Sequence, residues 1–181
     1  MSKTLRIAFV ALASVTAPVL GADRLHVVLQ IKPGLWEFTD QTKVAGDTIV
    51  ADTMLAHVPP AQRAQFVTQA RQEMTQPHKE RECITEAKFE QRISLNFPGC
   101  TRTVATNTAK AFDIRSLCRS ESRGMKEDTR QRIWASSPDA VATTTHAVTT
   151  RGTQTMTMDA VSTGRWIGAD CKLGDVIQQL P

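Results

Sequence analysis

The sequence predicts an α+β domain dominated by antiparallel sheet, either a curved sheet or a barrel-like form, with one main helix and one short helix. Three observations predict it. From Cys100 onward, alternating apolar and polar segments are separated by short clusters of turn residues, the signature of successive hairpins. Ahead of them, a single amphipathic stretch follows Pro59-Pro60. The chain also holds four cysteines, an even number that suits a stapled exported domain.

The first candidate strand runs from Leu35 to Val44, with Trp36 and Phe38 on one face and Glu37 and Thr39 on the other. Ala45-Gly46-Asp47 supplies a turn, and Thr48 to His57, with Ile49, Val50 and Thr53, reads as the returning strand of a hairpin. Proline suits the start of a helix. From Ala61 to Met74, Phe66, Val67, Ala70 and Met74 fall at helical spacing, and Pro77 ends the helix. A short strand through Cys83 follows. Thr85 is placed to cap a second, shorter helix from Glu86 to about Arg92, with Phe89 and Ile93 four residues apart. Asn96 to Gly99 is a loop.

The β-rich half starts at Cys100. Val104 and Thr106 run up, Asn107 to Ala111 connects, and Phe112, Ile114 and Cys118 run down. Ser120 to Asp128 is polar and reads as a mobile loop. Arg130 to Ala135 is a strand, Ser136 to Asp139 a turn, and Ala140 to Thr150 a threonine-heavy strand. After Arg151-Gly152, the segment Thr153 to Val161 turns Thr153, Thr155 and Thr157 outward and Met156, Met158 and Ala160 inward. A last element, Arg165 to Gly168, leads to Cys171.

Residues 1–22 have the layout of a secretory signal peptide: Lys3 and Arg6, an uncharged and mostly apolar run from Ile7 to Leu20, then Gly21-Ala22. The apolar run falls short of the roughly 20 residues a membrane span needs. Cleavage before Asp23 leaves one domain, residues 23–181, in the periplasm or outside the cell. It removes two of 22 basic residues and no acidic ones, leaving 20 against 18, a net charge of +2. Basic residues are interleaved with glutamates from Arg63 to Arg92, which describes a solvated surface rather than a groove for nucleic acid.

The cysteines lie at positions 83, 100, 118 and 171, with no C-x-x-C pair and no histidine close to any of them. Disulfides therefore outweigh a metal site. If Cys100 and Cys118 face each other in an antiparallel hairpin, Val104 meets Ile114 and Thr106 meets Phe112 on one largely apolar face. Directly opposed strand residues lie within disulfide reach. That leaves Cys83 for Cys171.

In order, Lys32-Pro33-Gly34-Leu35-Trp36-Glu37, Cys83-Ile84-Thr85, the segment bracketed by Cys100 and Cys118, and Gly164-Arg165-Trp166-Ile167-Gly168-Ala169-Asp170-Cys171 resemble a bacterial exported family catalogued as domain of unknown function 3617. The likeness covers essentially all of residues 23–181. It implies a periplasmic β-rich domain, and it implies no activity, cofactor or substrate. One departure is that Gly124 is the only glycine between Cys118 and Arg151, where family members carry Gly-rich turns.

No nucleophile-elbow, zinc-protease or phosphate-loop motif is present. The histidines at 26, 57, 78 and 146 are scattered. The sequence therefore points to no catalytic residue, no metal and no cofactor. The leading functional expectation is a non-catalytic binding or interaction protein whose partner is a small apolar ligand or an envelope protein. The alternative is a secreted hydrolase with dispersed catalytic residues. A small apolar ligand is expected on the sheet face carrying Trp36, Phe38, Met156 and Met158, the largest inward apolar groups that can be placed.

Overall fold

The computed structural model describes residues 28–85, 88 and 99–171. They form one seven-stranded antiparallel sheet, β1 (Gly34–Gly46), β2 (His78–Ile84), β3 (Cys100–Asn107), β4 (Ala111–Ser120), β5 (Met125–Ser137), β6 (Ala140–Arg151) and β7 (Gln154–Gly168). The spatial order is β2-β1-β7-β6-β5-β4-β3. The sheet curves without closing, so β2 and β3 are its edges. Helices α1 (Asp52–Leu55) and α2 (Arg63–Thr75) lie between β1 and β2, with a 3-10 turn at Pro60–Gln62 leading into α2. Among the described residues, no helix is long and apolar enough to cross a membrane.

Alternation sets which face each side chain takes. Trp36 and Phe112, both wholly buried, anchor the concave face at one end. Ile84, Ile114, Ile133, Ala135 and Val141 pack around them, and Phe38, Val104 and Trp166 border the cluster. Residues 28–32 form a strap across this end. Val28 donates its N–H to Asn107 Oδ1 (3.0 Å), Gln30 to the Ala109 carbonyl (2.9 Å) and Lys32 to the Pro138 carbonyl (2.7 Å). The strap thereby delivers Leu29 and Ile31 to the cluster.

The Pro-Gly-Leu-Trp-Glu and Gly-Arg-Trp-Ile-Gly segments form one joint. Trp36 stands opposite Trp166 in the β1–β7 register. The Trp36 indole N–H donates to the Lys32 carbonyl (2.9 Å) and that of Trp166 to the Pro33 carbonyl (3.0 Å). The Lys32 ammonium sits 4.8 Å from the Trp166 ring centre. Gly34 has φ +134°, and a Cβ there would lie 2.3 Å from the Gly168 carbonyl oxygen and 2.7 Å from the Trp166 indole nitrogen. Only glycine fits.

The opposite end is closed by the chain between β1 and α1. Ile49 and Val50 are buried there. The Ile49 N–H points to Met156 Sδ (3.5 Å), and Arg151 donates to the Val50 carbonyl (3.1 Å) and to Asp52 (2.8 Å). Helix α2 is fastened by Arg71, whose guanidinium donates to the carbonyls of Val44 (2.7 Å) and Gly46 (2.8 Å) and to the Thr48 hydroxyl (3.2 Å).

Several elements differ from expectation. Thr48–His57 is not a strand. β7 takes one edge of β1 along its length and β2 takes the other from Gly34 to Asp40, while beyond Asp40 the Val44 and Gly46 carbonyls accept from Arg71 of α2 rather than from a returning strand. Asp47 takes the last place beside Thr155: its N–H donates to the Thr155 carbonyl and its carboxylate accepts the Thr155 N–H, both at 2.8 Å. The chain then leaves the sheet and forms α1. Ser120–Asp128 is not a loop either. β4 runs to Ser120 and β5 starts at Met125, joined by a 3-10 turn at Glu121–Arg123. Its ladder pairs polar residues, Cys118 with Glu127 and Arg119 with Lys126, so composition conceals the strands. The two segments from Thr153 to Val161 and from Arg165 to Gly168 are one strand, β7.

Cys100 opposes Cys118 and Val104 opposes Ile114. A bulge at Ala105 then shifts the register, so that Thr106 opposes Asp113 and Asn107 opposes Phe112 instead of Thr106 meeting Phe112. The bulge carries Asn107 to the strap, where its side chain receives Val28. The disulfides are Cys83–Cys171 and Cys100–Cys118. Thr85 Oγ1 accepts the Lys88 N–H (3.2 Å), as a helix cap would. The remainder of the Glu86–Arg92 helix, the Asn96–Pro98 loop and the signal segment lie outside the described residues.

Candidate functional site

Between the two apolar ends, the concave face carries a cavity of about 460 Å³. Three cross-strand rows build it. Nearest the Trp36 end lies Glu80–Phe38–Gly164–Val141–Ala135. Next comes His78–Asp40–Ser162–Thr143–Ile133. The third row is Thr42–Ala160–Thr145–Gln131–Ile114. Ile31 of the strap and Ile84 of β2 complete the apolar floor.

The site is therefore two-sided. Its charge lies on the β1–β2 side, at Asp40, His78 and Glu80; Gln131, Thr143 and Thr145 line the β5–β6 side, and Ile31, Phe38, Ile84, Ile133 and Val141 supply hydrocarbon. His78 Nε2 lies 3.2 Å from Asp40 Oδ2; the Asp40 side chain is 21% exposed and that of His78 50%. Gln131 Nε2 reaches Thr145 Oγ1 at 3.5 Å. Gly164 has a packing role: a Cβ there would lie 2.5 and 2.8 Å from the Phe38 ring and 2.8 Å from Val141 Cγ1. The missing side chain lets the Phe38 ring lie flat on β7 and stack on Trp36, with ring centres 6.2 Å apart.

The second row holds serine, aspartate and histidine, but in an order unsuited to acyl transfer. Asp40 lies between His78 and Ser162. Strands are spaced about 4.8 Å apart, so two inter-strand spacings separate the imidazole from the hydroxyl by roughly 10 Å at the backbone. A serine nucleophile needs the imidazole within hydrogen-bond reach, oriented by the carboxylate behind it. This row reverses that arrangement. Among the described residues, no three His, Cys, Asp or Glu side chains gather at a point suited to a metal ion.

The four residues expected to form an apolar ligand face are distributed along it. Phe38 lines the cavity. Trp36 is sealed beneath it with no exposed surface. Met156 and Met158 share the concave parity, opposite Gly46 and Val44, but stand at the far end where Ile49 covers Met156. The structure thus brings Trp36 and Phe38 together and does not bring the two methionines to them. The polar lining was missed by looking for apolar bulk. Asp40 and Thr42 follow Trp36 and Phe38 at the same parity, and that alternation was the available signal.

On the convex face, Glu37 is 11% exposed and lies between two arginines. Arg165 donates from Nη2 (2.7 Å) and Nε (3.0 Å) to one carboxylate oxygen, and Arg81 approaches the other at 3.4 Å. Hydrogen bonding and charge from Arg165, with a smaller contribution from Arg81, hold the Glu37 carboxyl below its ordinary range against the opposing effect of burial.

Fold and site together define an open, curved antiparallel sheet with an amphiphilic cavity on its concave face. Residues 31–171 match the family described as "Protein of unknown function (DUF3617)", and the chain belongs to that family. No curated protein matches it. Among solved structures, the chain is similar to the S-type phycobiliprotein lyase CPES from Guillardia theta, at 10% identity over 76% of this chain and 89% of that one, with a TM-score of 0.29. A likeness of that degree says nothing about function.

Proposed function

We propose that this is an exported, non-catalytic binding protein that holds a small molecule against the concave face of its sheet. The observation that carries the reading is the cavity of about 460 Å³ between two packed ends. Ligand sites commonly span about 300–1,000 Å³ and combine an apolar lining with a few convergent polar groups. The lining here has that composition, and Phe38, from the face singled out in the sequence, is part of it. Two disulfides suit an oxidising compartment, and the layout of residues 1–22 supplies a route there.

Thr143 stands in the middle row of the cavity, so Thr143→Trp fills it without entering either packed end. Displacement of a fluorescent apolar probe should fall at least tenfold in affinity in that variant while its thermal unfolding stays cooperative. Equal binding by the native protein and the filled variant would refute the site. N-terminal sequencing of fractionated protein should find Asp23 first; intact Met1 protein confined to the cytosol would refute export.

A further inference from the structure

We propose that the occupant of the concave cavity is a cationic amphiphile, a small molecule with a protonated amine at one end and a hydrocarbon chain at the other. This rests on the reading of the concave face as a ligand site and adds the chemistry of what fits it.

The argument starts from sign. The chain holds 22 lysines and arginines against 18 acidic residues. Among the described residues, no lysine or arginine lines the cavity, whose acidic side chains are Asp40 and Glu80 and whose basic one is His78. The cavity therefore carries charge opposite in sign to the chain's net charge. A partly enclosed cleft with low-dielectric walls concentrates such a field and is less screened by salt than an open surface. A carboxylate ligand would meet like charge, beside a His78 imidazole already engaged by Asp40. An ammonium would meet two opposite charges.

Geometry sharpens the choice. Asp40 faces His78, and Glu80 faces Phe38, which lies two residues before Asp40 on β1. Asp40 and Glu80 are thus diagonal neighbours on adjacent strands, with backbones about 7–8 Å apart. An ammonium donating to carboxylates on two sides needs about 2.8 Å to each oxygen, a span two such side chains can close. The His78 contact comes from one side of Asp40 and engages Oδ2, leaving Oδ1 for a ligand. Away from these carboxylates the lining is uncharged: Ile31, Ile84, Ile133 and Val141 offer hydrocarbon, beside the neutral side chains of Gln131, Thr143 and Thr145. Charge at one wall and uncharged, partly apolar surface away from it match a molecule with the same polarity along its length. A simple metal cation would leave the apolar groups unused, and a neutral lipid would bring no charge to the carboxylates.

The test uses three probes of one chain length, decylammonium, decanol and decanoate, at pH 8 and below their aggregation thresholds. Affinities are read by displacement of a fluorescent reporter and by calorimetry. Decylammonium should bind at least tenfold tighter than decanol, and decanoate more weakly than decanol. In Asp40→Asn/Glu80→Gln, decylammonium should fall to the decanol level with decanol unchanged. Raising NaCl to 0.5 M should weaken decylammonium on the native protein and leave decanol alone. Both substitutions are near-isosteric at side chains with solvent access, and unaltered decanol binding certifies the fold. Decanol binding as tightly as decylammonium, or a preference that survives the double substitution, would overturn the inference while leaving the cavity reading intact. Absence of binding by all three probes to the native protein would overturn both.

Discussion

Gly164 of β7 lies under the Phe38 ring, and adding one methyl group tests whether that contact shapes the cavity floor. A Cβ at this position would approach Phe38 Cε1 to 2.5 Å, Phe38 Cδ1 to 2.8 Å and Val141 Cγ1 to 2.8 Å. Carbon atoms rest at about 3.5–4.0 Å, so something must yield by roughly 1 Å. Neither neighbour yields easily. The ring is stacked on the wholly buried Trp36, and Val141 is β-branched and buried. Overpacking of this kind costs about 1–3 kcal/mol. Replacing glycine within a strand recovers about 0.5–1 kcal/mol of backbone entropy. Gly164→Ala should therefore lose up to about 2.5 kcal/mol net, or up to roughly 10 °C in Tm for a chain of this size. The discriminating measurement is a double-mutant cycle with Phe38→Ala, followed by urea unfolding. In the Phe38→Ala background, Gly164→Ala should cost at least about 1 kcal/mol less than in the native protein. Equal cost in both backgrounds would refute the packing argument.

Two further outcomes follow from the covalent and ionic ties. The Cys83–Cys171 bond spans 88 residues and Cys100–Cys118 spans 18. Loop entropy assigns them about 4.5 and about 3 kcal/mol, so replacing the first pair with serine should lower the urea midpoint more than replacing the second. The reverse order would show that native-state contacts outweigh chain entropy. Glu37 titrates below its ordinary range because Arg165 and Arg81 stabilise its charge. A depressed folded value means its contribution is full above about pH 4.3 and fades as pH falls through the lower folded value. The stability gap between the native protein and Glu37→Gln should stay constant from pH 8 to about 5 and narrow below about 4. A gap that stays constant down to pH 2 would contradict the assignment.

The sheet was legible wherever one strand face is apolar and the other polar. β1 shows it at Trp36 and Phe38, β7 at Met156 and Met158, and the two segments run into their neighbours in the register that alternation implies. The Cys100 and Cys118 positions were computable for the same reason: parity and direct opposition are properties of a two-residue period. Where both faces of a strand are polar, the pattern disappears. The start of β5, from Met125 to Asp128, is held by ladder bonds and by the Arg115–Asp128 ion pair at 2.6 Å, neither of which local composition records. Thr48–His57 failed differently. Its residues favour a strand, but β2, distant in sequence, occupies that edge of β1 up to Asp40, and Arg71 of α2 takes the Val44 and Gly46 carbonyls beyond it. The candidate site was half legible. Phe38 marks it, while Asp40, His78 and Glu80 converge only after β1 and β2 pair.

The placement of polar groups explains how one sheet supports both a stable fold and an open cavity. A polar side chain sealed in a dry interior without a partner costs about 1–3 kcal/mol. Asp40, Glu80, Gln131, Thr143 and Thr145 all face the concave side, yet each lines the cavity and none belongs to the apolar cluster. Solvent in the cavity can hydrate them, so they do not exact that cost while the site is empty. The packed end can then hold the fold without them, through Trp36, Phe112 and the isoleucines around them. Threonine is well suited to the boundary, because its branched Cβ favours a pleated strand while its hydroxyl tolerates water. The threonine-heavy sequence of β6, which periodicity alone reads only as strand, thus also supplies Thr143 and Thr145 to a wall that faces a solvated cavity.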